Sequence, residues 1–476
     1  MSIIKSISGI RGTIGGQPGD NLTPIDIFRF TTAYALFLKQ NNPAIKIKVI
    51  VGRDGRISGE MVKSLVIGTL MSQGVDVIDL GMATTPTVEM TVIKQKAQGG
   101  IILSASHNPQ GWNALKLLDE KGEFLSADDG KKVLELADQP DTSFATEDQL
   151  GAYTFNPFLF EDHLNAILNL PLVNKNSIAT KKFKVVVDGI NSVGGLTVPE
   201  LLRELGVNDV IEINCLPNGQ FAHKPEPLDE NLTEIKARVV KEKAALGIVV
   251  DPDVDRLAFI DEKGEMFGEE YTLVAVADYV LQNYDTLIEK LGPAGHGYEK
   301  NTVSNLSSSR ALKDITEKHG GIYEAAAVGE VNVVQKMKAL KSIIGGEGNG
   351  GIIFPPLHYG RDALVGIALF LTALAQTNKT MSEFKKLLPK YLMVKDRMEL
   401  TPGLNVLELL NKIKADYQTE KITDIDGVKI DWPDSWVHLR ASNTEPIIRI
   451  YAEAKTLATA TAKVKEIKDK ILAYIK

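Results

Sequence analysis

A short β-branched run, a polar loop and an amphipathic helix recur in that order along the first two-thirds of the chain. This repetition leaves few folds open. "IKVIV" (Ile47 to Val51) leads into the loop "GRDGRISGE" and then "MVKSLVIGTLMSQG", whose apolar residues fall at helical spacing and whose Gly74 is placed to end a helix. "VDVIDLG" and "GGIIL" (Gly99 to Leu103) read as further strands. The pattern restarts at "KVVVDGINSVGG" (Lys184 to Gly195), continued by the helix "LTVPELLRELG" and by "LGIVVDPDVDR" (Leu246 to Arg256). A third restart pairs the helix "YTLVAVADYVLQNY" with the strand and loop "SIIGGEGNGG" (Ser342 to Gly351). Alternation of this kind predicts mostly parallel sheets covered by helices on both faces.

The end of the chain changes character. "GVKIDW", "SWVHLRAS" and "PIIRIYAEA" read as antiparallel strands, and a lysine-rich amphipathic helix spans Leu457 to Tyr474. The expected fold is α/β: three similar α/β domains with mixed, mostly parallel sheets, plus a C-terminal α+β domain. The boundaries are expected at 1–155, 156–262, 263–385 and 386–476. A chain of 476 residues is too long for one core, which agrees with this division.

Composition narrows the function classes. A net charge of -7 argues against nucleic acid or an anionic membrane as partner, so an anionic substrate would need local basic groups. The lone Cys215 allows no intramolecular disulfide and fits a reducing compartment. "MSIIKSISGIRGTIGG" has no apolar core of signal-peptide length, and "ALVGIALFLTALA" (Ala363 to Ala375) is too short to span a bilayer and reads as a buried helix. A cytoplasmic location is therefore expected.

In open α/β sheets, ligands gather at the carboxyl ends of strands, and the unusual residues fall there. In "DPDVDR", Asp251, Asp253 and Asp255 follow an apolar run directly. Three carboxylates so close repel one another, and a hard divalent cation such as Mg²⁺ would relieve them. Arg256 could hold a carboxylate or a phosphate. Asp54 and Asp188 also follow strands but stand singly, as loop-capping residues do. "SASHNP" places Ser104, Ser106, His107 and Asn108 after "GGIIL". A helix N-cap would explain one of them, but a strand-end serine can also be a nucleophile or a phosphate carrier. Lys116 is spaced to return to the same loop, and Trp112 reads as packing. In "GGEGNGG", Glu347 and Asn349 offer an acceptor and an amide suited to sugar hydroxyls. "RASNTEPIIR" supplies Arg440, Ser442, Asn443 and Thr444 as donors for an oxyanion. Neither a G-x-S-x-G elbow nor a Walker loop is present.

The ordered set "SGIRGT", "GRDGRISGE", "SASHNP", "DPDVDR", "GEGNGG" and "RASNTEPIIR" resembles the α-D-phosphohexomutase family over essentially the whole chain. The resemblance implies four domains around a central cleft, with the last one moving to close it. It implies that Ser106 is phosphorylated in the active enzyme, and that Asp251, Asp253 and Asp255 bind Mg²⁺ with the phosphoserine. It places Arg256 beside the metal and Glu347 and Asn349 in a sugar-specificity loop. Arg440, Ser442, Asn443, Thr444 and Arg449 would grip the substrate's own phosphate. Arg11, His107 and Lys116 would surround the transferring phosphoryl group, with Lys116 as base, its pKa lowered by neighbouring cations. The implied reaction interconverts hexose 6-phosphate and hexose 1-phosphate through a hexose bisphosphate, which is also the activator, in a monomer or homodimer.

Two motifs depart from the family pattern. Its sugar loop often reads G-E-x-S-G-H, where this chain has Asn349 and Gly351, and Asn113-Ala114 stands where Asn-Gly is frequent. "GEGNGG" with "HYGRDALVG" resembles the archaeal-type phosphoglucosamine mutase branch, which implies glucosamine 6-phosphate as substrate, with phosphomannomutase/phosphoglucomutase activity as the alternative. Two remoter readings are a haloacid-dehalogenase-like phosphatase with its nucleophile in "VVDPDVD", and a non-catalytic sugar-phosphate sensor.

Overall fold

The computed structural model describes residues 3–6, 9–139, 143–400, 405–441 and 447–475. Four sheets follow one another along the chain. The first has seven strands, ordered Ile4–Ser6, Gly9–Thr13, Trp112–Leu118, Gly99–Leu103, Lys48–Arg53, Asp76–Met82 and Tyr153–Phe155. Its last four strands run parallel and the pairings at its other end are antiparallel. The second and third sheets have four strands each, with three parallel strands and one antiparallel edge in both. The fourth is a five-stranded antiparallel sheet backed by the helix Leu457–Ile475. The expected α/β units and terminal α+β unit are therefore present.

The predicted helix after "GRDGRISGE" spans Gly59–Ser72, with Gly74 just beyond it at φ +73°. Ala363–Thr377 is buried throughout from Ala363 to Ala375, and the second and third sheets share one continuous hydrophobic core around it. Aromatic stacking of Phe259 on Phe370, with centroids 3.9 Å apart, joins the two units inside that core. Among the described residues, no helix is long and apolar enough to cross a membrane.

Sequence patterning missed parts of the fold. "SASHNP" does not open a helix: the next strand, Trp112–Leu118, returns antiparallel to Gly99–Leu103. The helix-cap reading of its polar residues therefore fails. In the last unit the strand Leu392–Glu399 was not legible, because it is an edge strand with no buried residue, and Lys395, Asp396 and Arg397 break its apolar alternation.

A candidate active site at the strand ends

Ser106 sits just past the carboxyl end of Gly99–Leu103 in the left-handed region, at φ +47°. Non-glycine residues adopt that conformation only when their surroundings enforce it. Here the enforcing group is Arg56, whose fully buried guanidinium donates to four carbonyls of the loop, those of Ser106, Asn108, Pro109 and Trp112. Asp54 anchors the guanidinium at 2.9 Å. Ser104 Oγ donates to Asp54 Oδ2 at 2.7 Å and accepts from the Ser106 N–H at 2.9 Å, so it braces the loop. Asp54 thus caps its own loop, as expected, and also holds a second one.

The serine hydroxyl points across the domain junction, where Ser106 Oγ donates to Asp251 Oδ2 at 2.6 Å. Asp251, Asp253 and Asp255 are fully buried, with ligand oxygens within 4.8 Å of one another. Val254, between two of them, is held at φ +63°, an unusual conformation for a β-branched residue. Burial and the charges of Asp255 and Asp253 push the Asp251 carboxyl well above the usual range. Asp253 accepts from Thr85 Oγ1 and Lys116 Nζ, both at 2.6 Å, and Asp255 accepts from Arg361 at 2.7 Å. Burial would raise these two carboxyls, but Lys116 at Asp253 and Arg361 at Asp255 outweigh it and hold both low. One oxygen on each, Asp253 Oδ1 and Asp255 Oδ1, is buried without a partner.

Lys116 corrects one expectation. Burial favours its neutral form, but Asp253 and Asp255 outweigh burial and raise its pKa. Its nearest neighbours are carboxylates, so in this state it is a fixed cation rather than a base. His107 is the neutral group of the loop. Burial and then Arg256 and Arg11 push its pKa well down, and its Nδ1 has no partner.

These groups line a cleft of about 730 Å³. Arg11, Ser106, His107, Lys116, Arg256, Glu347, Asn349, Arg440 and Arg449 all reach it. Arg256 donates to Glu226 at 3.0 Å, and Arg440 to Asp426 at 3.0 Å. The aspartates themselves lie beneath the wall. Ser442, Asn443 and Thr444 fall outside the described residues. Asp188 takes no part: it accepts from Ile190 N–H and Asn214, as a loop cap does.

Besides Arg56, two further arginines escaped the sequence reading. Arg361 is buried and joins Asp255 to the sugar loop, donating to Glu347 Oε2 at 2.7 Å and Glu330 Oε2 at 3.0 Å. Its only sequence signal is an Arg-Asp pair before an apolar helix. Arg397 lies on the unrecognised edge strand and stands directly across from Arg449, which is also paired with Arg440. Like charges directly opposite one another are destabilising, and of the three only Arg440 has a carboxylate partner among the described residues, Asp426 Oδ2 at 2.9 Å.

Models of the phosphoglucomutase/phosphomannomutase family match the chain in order. The alpha/beta/alpha domains I, II and III match residues 3–143, 161–264 and 269–391, and the C-terminal domain matches 393–471. The chain is 36% identical to a phosphoglucomutase/phosphomannomutase of Thermococcus kodakarensis, over 94% of both chains. It is 33% identical to a phosphoglucosamine/phosphogalactosamine mutase of Sulfurisphaera tokodaii, over 98% of this chain and 99% of that one. A solved phosphoglucomutase/phosphomannomutase family protein from Burkholderia thailandensis shares the fold, with a TM-score of 0.81 at 23% identity, covering 99% of this chain and 98% of that one. The strand-end loops, the serine facing three aspartates and the four matched domains together make this chain a member of the α-D-phosphohexomutases, the phosphoglucomutase/phosphomannomutase family.

Proposed function

We propose that this protein interconverts glucosamine 6-phosphate and glucosamine 1-phosphate through a phosphorylated Ser106. The observation that carries the mutase reading is the Ser106 hydroxyl, held on a fixed loop 2.6 Å from Asp251 at the floor of a cleft walled by cations. Phosphoryl transfer needs positioning and charge neutralisation more than covalent help from the protein.

The acidic loop fits a divalent cation. Two of its buried oxygens lack partners, and burial, with the charges of Asp255 and Asp253, drives Asp251 toward its neutral form. Asp251, Asp253 and Asp255, with the Ser106 phosphate, would hold Mg²⁺, which when bound offsets charge on the phosphoryl oxygens. In the first half-reaction the Ser106 Oγ–P bond breaks and a P–O bond forms to the free sugar hydroxyl, whose proton passes to a base. The product is the hexose bisphosphate. In the second half its other O–P bond breaks, Ser106 Oγ–P re-forms, and the proton returns to the sugar oxygen. Arg11, Lys116 and Arg256 stabilise the phosphoryl group in both halves. Arg440 and Arg449 take the phosphate that is not reacting. His107, which follows Ser106 in the chain, lines the cleft and has an unpartnered Nδ1, is assigned the proton in this scheme.

The relatives named as phosphoglucosamine mutases support the amino sugar. Glu226 and Glu269 also line the cleft, paired with Arg256 and Lys395, and a carboxylate separates an ammonium at C2 from a hydroxyl. Phosphoglucomutase/phosphomannomutase activity is the second reading, favoured by the relative at 36% identity. A kinetic panel with Mg²⁺ and hexose bisphosphate decides between them. Glucosamine 6-phosphate should give the highest kcat/KM against glucose, mannose and N-acetylglucosamine phosphates, and a higher value for glucose or mannose selects the second reading. Full activity without phosphate on the Ser106 peptide would refute the mechanism, and acid-quenched label on Asp251 would point to a phosphatase.

A further inference from the structure

Behind the Arg361 wall lies a second cluster that the mutase chemistry does not use. His163 Nε2 is 2.9 Å and His358 Nε2 is 3.3 Å from the same oxygen, Asp362 Oδ2. All three side chains are buried. The other nitrogen of each ring is also faced. His163 Nδ1 lies 3.0 Å from Thr87 Oγ1, and His358 Nδ1 lies 3.4 Å from Glu89 Oε2. Neither that nitrogen nor either oxygen of the buried Glu89 has a hydrogen-bond partner.

The protons do not balance in this arrangement. If both Nε2 atoms carry protons toward Asp362, His358 Nδ1 is a bare acceptor facing a carboxylate, another acceptor. One further positive charge is required, either a proton between His358 and Glu89 or a metal ion on the Asp362 side. Among the described residues, the neighbouring cations are engaged elsewhere: Arg361 serves Asp255, Glu330 and Glu347, and Lys116 serves Asp253 and Asp255.

We propose that His163 Nε2, His358 Nε2 and Asp362 Oδ2 bind Zn²⁺. The two nitrogen–oxygen separations suit edges of a polyhedron with bonds of about 2.0–2.2 Å, and all three ligand atoms lie within 4.8 Å of one another. Metal on both Nε2 atoms moves the ring protons to Nδ1, where they meet Thr87 Oγ1 and the Glu89 carboxylate. That is the outer-shell pattern which orients metal-binding histidines, and it gives both orphaned groups a partner. Two imidazoles favour Zn²⁺ over Mg²⁺, so this site and the aspartate loop would select different ions. The ligands and their outer-shell partners come from three parts of the fold: His163 from Phe160–Leu168, His358 and Asp362 from the loop that carries Arg361, and the outer-shell Glu89 and Thr87 from the helix Thr85–Gln95. The ion would therefore fasten that loop to the first and second units.

The test is zinc retention by the full-length protein after dialysis in excess Mg²⁺, with metal content measured by mass spectrometry. One Zn²⁺ per chain is expected, falling to none in His163→Gln and in His358→Gln, and chelation should lower the wild-type melting temperature. Zinc-free wild-type protein, or retention unchanged in both variants, overturns the proposal in favour of a shared proton. Should the variants not fold, the imidazole NMR signals of the wild-type protein decide. Zn²⁺ in excess Mg²⁺ should shift those of His163 and His358, and shifts confined to other histidines overturn the assignment.

Discussion

Replacing Arg361 by Met keeps a side chain of similar length and removes the one cation shared by Asp255, Glu330 and Glu347. Breaking a buried ion pair by deleting one partner costs about 3–5 kcal/mol, because the other charge stays buried. Three carboxylates lose this partner, but Asp255 keeps Lys116 Nζ at 3.5 Å, and the cost is not three such penalties. Burial pushes the Glu330 carboxyl up to about 7 even with Arg361 present, so it can take a proton at little cost near neutral pH. The penalty therefore falls on Asp255 and Glu347, which Arg361 holds ionised. A chain of several domains does not unfold in two states, so the readout is local. Amide exchange in the helix Ala363–Thr377, which starts two residues after Arg361, should accelerate by roughly 10²–10⁴-fold at pH 7. Glu330→Gln should change the same exchange by less than about tenfold, since it mimics the protonated acid. Excess Mg²⁺ should recover part of the Arg361→Met loss by giving Asp255 a second cation beside Lys116. Acceleration below about tenfold in Arg361→Met, or equal effects in the two variants, would refute this account of the charge network.

Ser106→Ala should abolish both mutase activity and the protein-bound phosphate, measured by coupled assay and by mass spectrometry. Asp253→Asn removes a proposed Mg²⁺ ligand and the partner of Lys116, and kcat should fall by about 10²-fold or more, with a raised Mg²⁺ requirement. Arg449→Gln should raise KM for the hexose phosphate about 10- to 100-fold with kcat little changed, the mark of a lost charge-assisted contact to the unreacting phosphate. Lys429, buried against Trp436 and donating to the Leu306 carbonyl, is pushed down to about 8 by burial. A depressed lysine is neutral in the fold while still protonated in the unfolded chain, so stability should rise as pH climbs from about 8 to about 10.5. The gain is about 3 kcal/mol at most, at ~1.36 kcal/mol per pH unit, read as the difference between wild type and Lys429→Met in the pH dependence of amide exchange in the strand Val428–Trp432.

The strand-end loops were legible because their polar residues interrupt apolar runs where a parallel sheet presents ligands. The aspartate loop and Ser106 could be singled out on that ground. Arg56 could not, since its task is set by four carbonyls contributed from 50 or more positions away. Arg361 looks like any loop arginine until Asp255 and Glu347 close around it. Arg397 was hidden by an edge strand whose exposed, charged residues carry no apolar rhythm. The direction of the Lys116 shift was misjudged because the sequence shows which charges exist, not which of them lie nearest.

Arg56 leaves the serine loop no freedom to swing. Under the proposed reaction, one oxygen fixed in space must meet first one end of a sugar and then the other. The turning then belongs to the small molecule, and the facing wall must accept the ring in two poses. Such a wall can be strict only about features that both poses present alike. A stationary nucleophile thus trades away some power to tell neighbouring sugars apart, and related hexose phosphates should all be turned over at some rate.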